Sequence, residues 1–133
     1  MAACGLWRSK HRLVAVVVDD DGRLESTIQT ATDDEERWAL LQYVDSVHGL
    51  DCALVLPDDM LKADAICRFA LERGHDLWAA PRPLIEAIRR AAHLATDARV
   101  AAMLARLPIV PGFRAHLRRI DRGAYDRRQL SLL

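Results

Sequence analysis

Apolar and polar positions alternate along this chain in a way that spells out strands and helices in turn. Residues 3–7 are a candidate first strand. Residues 12–18 follow, apolar on both faces and rich in β-branched valine, as in a well-buried strand. Asp20-Asp21-Gly22 closes that run, and Asp-Gly is a strong hairpin signal. Residues 23–30 alternate apolar with polar, so Leu24 and Ile28 are expected to point inward and Glu25 and Gln29 outward. At Thr32-Asp-Asp-Glu35 the period changes. This is a capping-box pattern, in which the Thr32 hydroxyl accepts from the Glu35 backbone N–H and Glu35 reaches back. Asp33 through Glu36 also suit the positive end of a helix dipole, which explains the acidic run without a metal. Leu40, Tyr43, Val44 and Val47 then form one apolar stripe, and Gly49 is a natural stop.

A strand over residues 52–56 comes next, then a helix over 59–73 with Asp58 as its expected N-cap. Ala63, Ile66, Cys67 and Ala70 are its expected buried positions, and Gly74 ends it. Residues 77–80 form another short strand. Pro81-Arg-Pro83 opens a helix carrying Leu84, Ile85, Ile88, Ala91 and Ala92. Thr96 or Asp97 caps a further helix, with Val100, Met103, Leu104 and Leu107 on one stripe. Pro108 and Pro111-Gly112 break it. Residues 113–133 read as a short helix followed by a loose, leucine-ended extension. A strand–helix–strand–helix order implies parallel βαβ crossovers. The expected fold is therefore α/β: a ribonuclease H-like mixed sheet, with antiparallel hairpin strands plus parallel βαβ units, flanked by helices. Residues 1–108 form that domain and 109–133 a basic C-terminal extension.

Composition changes this picture in three places. The chain has 133 residues, enough for one core, and no apolar run nears the roughly 20 residues that span a bilayer. Residues 1–7 are too short, and too soon followed by Arg8, Lys10 and Arg12, to read as a secretory signal. A cytoplasmic protein with no membrane partner is expected. Cys4, Cys52 and Cys67 lack CxxC spacing and suit reduced structural thiols. The net charge of zero hides a split. Residues 1–81 hold 8 basic and 15 acidic side chains, whereas residues 82–133 hold 11 arginines, no lysine and 4 acids. Either the two halves attract one another, within a chain or across a homodimer, or the basic half meets phosphate. Arg114, Arg118, Arg119 and Arg122 are the best nucleic-acid candidates; a solvated helix face is the alternative.

Known catalytic patterns are missing. His11, His48, His75, His93 and His116 form no HxxxH or HExxH pair. No serine sits in a GxSxG context, and no glycine-rich phosphate loop occurs. Trp7, Trp38 and Trp78 are expected in the core or an interface.

Several short motifs nonetheless carry a resemblance. Gly5-Leu-Trp-Arg-Ser-Lys10, Asp21-Gly-Arg-Leu24, Leu71-Glu-Arg-Gly-His75, Ala80-Pro-Arg82 and Thr96-Asp97 with Leu104-Ala-Arg106 follow one another. In that order the chain resembles the RuvC-like N-terminal domain of the DEDD transposases, the group that includes the Piv-type DNA invertases. The resemblance covers residues 5–108. It implies a ribonuclease H-like fold and four acids holding two divalent metal ions for attack at a phosphodiester. It also shows where this chain departs. Trp7, Val55 and Val100 stand where three of those acids belong, and only Asp97 matches. Valine and tryptophan offer no oxygen to a hard cation. The family's second domain, which supplies a serine, lies beyond the matching segment.

The resemblance thus implies a domain with degenerate catalytic acids, no catalytic residue, no metal and no cofactor, acting by binding protein or nucleic acid. Asp97 has a plainer role as a helix cap or dipole partner. One alternative is a Mg²⁺-dependent nuclease with relocated acids, drawn from Asp19–Asp21 and Asp58–Asp59 at strand ends. Those two clusters should lie at opposite ends of the sheet. Another alternative is a homodimeric interaction module.

Overall fold

A computed structural model describes residues 2–10, 12–31, 33–49 and 51–120. Six strands form one mixed sheet: β1 (Ala3–Ser9), β2 (Arg12–Val18), β3 (Leu24–Ala31), β4 (Ala53–Pro57), β5 (Leu77–Ala80) and β6 (Arg118–Ile120), in the order β3-β2-β1-β4-β5-β6. β1, β4 and β5 run parallel; β2, β3 and β6 are antiparallel to their neighbours. The expected hairpin and βαβ run are both present.

Helices cover both faces. On one lie α1 (Asp34–His48), α2 (Met60–Ala63) and α3 (Ile66–Glu72), packing Leu40, Leu41, Val44, Ile66 and Cys67 on Leu6, Leu13, Leu54 and Leu56. On the other lie α4 (Arg82–Ala92) and α5 (Asp97–Arg106), packing Ile85, Val100 and Leu104 on Trp7, Val14, Val16 and Val55. The α5 stripe of Val100, Met103, Leu104 and Leu107 is buried as its spacing predicts. Ala101, Ala102 and Ala105 are buried with it, because α5 lies almost against β1. A Cβ on Gly5 would sit 1.8 Å from the Ala101 carbonyl oxygen and 2.7 Å from the Ala105 nitrogen, so only glycine permits this approach.

Asp19 organises the β2–β3 hairpin. Its carboxylate accepts from the backbone N–H groups of Asp21 and Arg23, both at 2.9 Å, and Gly22 adopts φ 81°. Leu24 departs from its expected inward position and is 59 % exposed. A bulge pairs Val17 with Ser26 but Val18 with Leu24, which turns Leu24 to the opposite face from Ile28.

The α1 cap also differs from expectation. The Asp33 side chain accepts from the Glu36 backbone N–H at 2.8 Å, while Thr32 lies outside the described residues. Tyr43 and Val47 of the expected stripe are exposed, and the helix instead buries Arg37, Leu40, Leu41 and Val44. Gly49 does stop it, at φ 82°.

The helix expected over residues 59–73 is broken in two at Asp64, and Asp58 does not cap it. Arg37 explains the break. Its Nε and Nη2 donate to Asp64 Oδ1 and Oδ2, each at 2.5 Å, in a bidentate pair that is almost fully buried. Asp64 Oδ1 also accepts from the Ile66 backbone N–H at 3.0 Å, so the acid starts α3 while fastening it to α1. Nearby, Asp45 of α1 meets Arg73 and the buried His75, whose Nδ1 lies 3.3 Å from the Cys52 carbonyl. Gly74, at φ 89°, makes the turn between α3 and β5.

In α4 only Ile85 is fully buried; Ala91 and Ala92 of the expected stripe are exposed. After the 3₁₀ turn Leu107–Ile109 and the short α6 (Pro111–Arg114), the chain returns to the sheet as β6. The folded unit therefore runs at least to Ile120, and a sheet strand stands where a loose extension is expected. Cys4, Cys52 and Cys67 are free and buried. Burial pushes the Cys52 and Cys67 thiols up to about 12 and Cys4 well above its ordinary range. No helix among the described residues is long and apolar enough to cross a membrane.

Candidate functional site

The three parallel strands end together, and ligands of α/β sheets bind beyond such carboxyl ends. Here Trp7 of β1, Asp59 after β4, Arg82 after β5 and Asp97 at the start of α5 meet. Trp7 is 6 % exposed and shares the α5-side core with Val55 and Val100. The positions that the resemblance assigns to metal-binding acids therefore lie on one face of the sheet, filled by an indole and two valines. The indole Nε1–H donates to Asp97 Oδ1 at 3.2 Å.

Asp97 is not the N-cap of α5. Thr96 is, accepting from the Arg99 backbone N–H at 3.2 Å, while Asp97 sits in the first turn and faces Trp7. Two arginines of α4 cover the same ring. Arg82 Cζ lies 4.9 Å and Arg89 Cζ 5.2 Å from the Trp7 centroid, within cation–π range. Their charges are met by carboxylates: Arg82 Nη2 donates to Asp59 Oδ2 at 2.5 Å, and both arginines approach Glu86 Oε1.

These residues do not fit a divalent cation. Such an ion needs several oxygens converging on one point. Here Asp97 serves the indole, Asp59 and Glu86 serve arginines, and the remaining expected ligand positions are apolar. Among the described residues no group of three or more His, Cys, Asp or Glu side chains could hold a metal ion. The two acidic clusters lie as the strand directions require. Asp19–Asp21 follow β2 at one end of the sheet and Asp58–Asp59 follow β4 at the other, too far apart to share an ion.

Of the expected nucleic-acid arginines, Arg114 is exposed with its guanidinium 5.9 Å from the Trp78 centroid. Arg118 and Arg119 are exposed on the edge strand β6, with Arg118 opposite Ala79 near the carboxyl end of β5. Arg119 Nη2 donates to Asp76 Oδ1 at 2.5 Å. Arg122 lies outside the described residues. The Arg82–Asp59 and Arg119–Asp76 pairs join the basic and acidic halves within one chain.

Arg82, Glu86 and Arg89 were not singled out by sequence reasoning. Their i, i+4 and i+7 spacing puts them on one helix face, but nothing in the sequence says that this face meets Trp7. Apart from this cluster, a groove of about 420 Å³ runs along the outer side of α5, walled by Ile88, Leu94, Met103, Leu107 and Phe113, with Arg99 and Arg106 also lining it.

No protein-family model matches the chain, and no curated protein matches it in sequence. Among solved structures, the chain is similar to Thermus thermophilus RuvC, solved in complex with a Holliday junction substrate. The similarity has a TM-score of 0.60 at 14 % identity, and covers 90 % of this chain and 99 % of that one. At that identity the likeness carries the fold: a RuvC-like, ribonuclease H-like mixed sheet flanked by helices.

Proposed function

We propose that this protein is a non-cleaving nucleic-acid-binding domain, related to the RuvC-like N-terminal domains of the DEDD transposases and lacking their catalytic acids. The observation that carries this reading is the packing around Trp7. The ring lies where the resemblance expects the first metal ligand, its N–H is satisfied by Asp97, and its face is covered by Arg82 and Arg89. Cation-assisted hydrolysis needs a ring of oxygens there. What stands there is apolar and aromatic surface with two arginines above it, paired to the exposed carboxylates of Asp59 and Glu86; guanidinium groups so placed suit holding a phosphodiester backbone without attacking it.

Two further points support binding. The RuvC structure of the same fold holds a branched DNA. Arg114, over the Trp78 ring, and Arg118, opposite Ala79, are exposed at the β5–β6 edge and add cationic groups that a nucleic-acid backbone can meet. The test pairs binding with cleavage. A labelled four-way DNA junction and a linear duplex are titrated with the protein, then incubated with Mg²⁺ or Mn²⁺. Binding that weakens with salt, reduced in Arg114→Ala/Arg118→Ala and unaccompanied by cleavage, is expected. Turnover that disappears in Asp97→Ala would overturn the non-cleaving reading.

The apolar groove beside α5 favours a second reading, self-association as a homodimeric module. If pairing of the acidic and basic halves drives it, the dimer weakens as salt rises. A monomer by light scattering at low salt removes it.

A further inference from the structure

We infer that Arg82 and Arg89 form a phosphate-binding pair, and that Glu86 occupies the phosphate position when no ligand is bound. The inference rests on the nucleic-acid reading above and deepens it by naming the contact. Two guanidinium groups approach a single carboxylate oxygen: Arg89 Nη1 donates to Glu86 Oε1 at 3.3 Å and Arg82 Nη1 lies 3.8 Å from it, in ion-pair range, while Arg82 Nε and Nη2 donate to the exposed Asp59 Oδ2. An anionic oxygen held between two arginines is the arrangement a phosphate oxygen takes.

Four features make the pair suited to a ligand rather than to stability. Trp7 provides a rigid floor, because its ring is buried and its N–H is fixed on Asp97, so both guanidinium groups are set before any ligand arrives. Arg82 is 39 % and Arg89 35 % exposed in its side chain, so both can be reached from solvent. Glu86 is itself 39 % exposed, and ion pairs this exposed are weak enough for a phosphate to displace the carboxylate. Finally, the pair stands at the carboxyl ends of the parallel strands. A backbone phosphate there would be held by two positioned guanidinium groups, with no bound water made acidic for attack.

The probe is a fluorescently labelled four-way DNA junction, read by anisotropy across a salt series, with a linear duplex in parallel. Glu86→Gln removes the carboxylate that both arginines share, leaving Asp59 on Arg82, and is expected to tighten binding about threefold to tenfold. Arg82→Ala/Arg89→Ala is expected to weaken binding about tenfold or more. It should also lower the slope of log affinity against log salt by about one for each arginine removed. Arg89→Lys, which keeps the charge but loses the planar fork, should fall between. Glu72→Gln, on α3 across the sheet, controls for net charge.

Equal tightening by Glu72→Gln and Glu86→Gln would reduce the effect to a general charge change and overturn the inference. Unchanged affinity in Glu86→Gln and in the arginine double variant, while the parent still binds DNA, overturns the pair and leaves the nucleic-acid reading standing. Failure of the parent to bind either DNA removes both.

Discussion

The two faces of the sheet use charge in opposite ways. Beneath α1 and α3, Arg37 and Asp64 are buried and bidentate, and Asp45, Arg73 and His75 form a second ionic cluster. There the charges decide how helices meet. They break what would be one helix into α2 and α3, and they fasten the second piece to α1. Beneath α4 and α5 the contact is made by small apolar residues, Gly5 against Ala101 and Ala105, and the charges sit outside it on an indole ring. A buried ion pair is costly to break because either partner left alone is stranded in a poor solvent. An exposed one is cheap to break, and so is available to a ligand. The comparison teaches that the prominent charges of this chain divide by burial, not by type, into a structural set and an exposed set that the proposed phosphate contact would recruit.

The largest effect expected from breaking this comparison comes from Asp64→Ala. It strands the Arg37 guanidinium and should cost about 3–5 kcal/mol of unfolding free energy, measured by urea denaturation. Replacing both partners by apolar residues of similar volume should recover most of that loss. On the other face, Gly5→Ala should cost about 3 kcal/mol with no charge involved, because the new methyl meets the backbone of α5, which cannot move aside as a side chain could.

A pH titration sharpens the contrast between buried and exposed groups. Cys52 and Cys67 stay protonated in the fold up to about 12, against an ordinary value of 9.0, chiefly because burial disfavours the thiolate. Their contribution to stability is fully present below pH 9 and is lost as the pH rises towards 12, since unfolding then releases their protons. Denaturation midpoints should fall over that window, and Cys67→Ala should flatten the decline. The smallest effect belongs to the exposed arginines. Arg89→Ala should change stability by under about 0.5 kcal/mol while changing DNA affinity, which separates recruitable charge from structural charge in one variant.

Much of the fold was legible from local pattern. The valine run of β2, the Asp-Gly turn, the Pro81-Arg-Pro83 helix start and the α5 stripe each depend on neighbours within a few residues, and each stands where its spacing put it. The misplacements are of two kinds. Leu24 was turned outward by a bulge, Tyr43 and Val47 of α1 were left exposed when Arg37 took an inward position, and the helix over 59–73 was divided by an acid pairing with Arg37. In α1 and in the helix over 59–73 the partner is distant in sequence, Arg37 with Asp64, whereas Leu24 is displaced by a bulge within its own hairpin. Strand β6 also depends on a distant partner, since three residues become a strand only when β5 offers them an open edge.

The candidate site followed the same division. The sequence by itself determined that Trp7, Val55 and Val100 supply no ligand oxygens, because side-chain chemistry travels with the residue. It also determined that Arg82, Glu86 and Arg89 share a helix face, because the helical period fixes that. Only the tertiary structure decided that this face lies over Trp7 and that the last matching acid, Asp97, is tied to the indole. Those contacts depend on the angle at which α4 and α5 cross the sheet. That angle is set by close packing at Gly5 and by the summed fit of two helices on six strands, a property of the assembled core rather than of any stretch of chain.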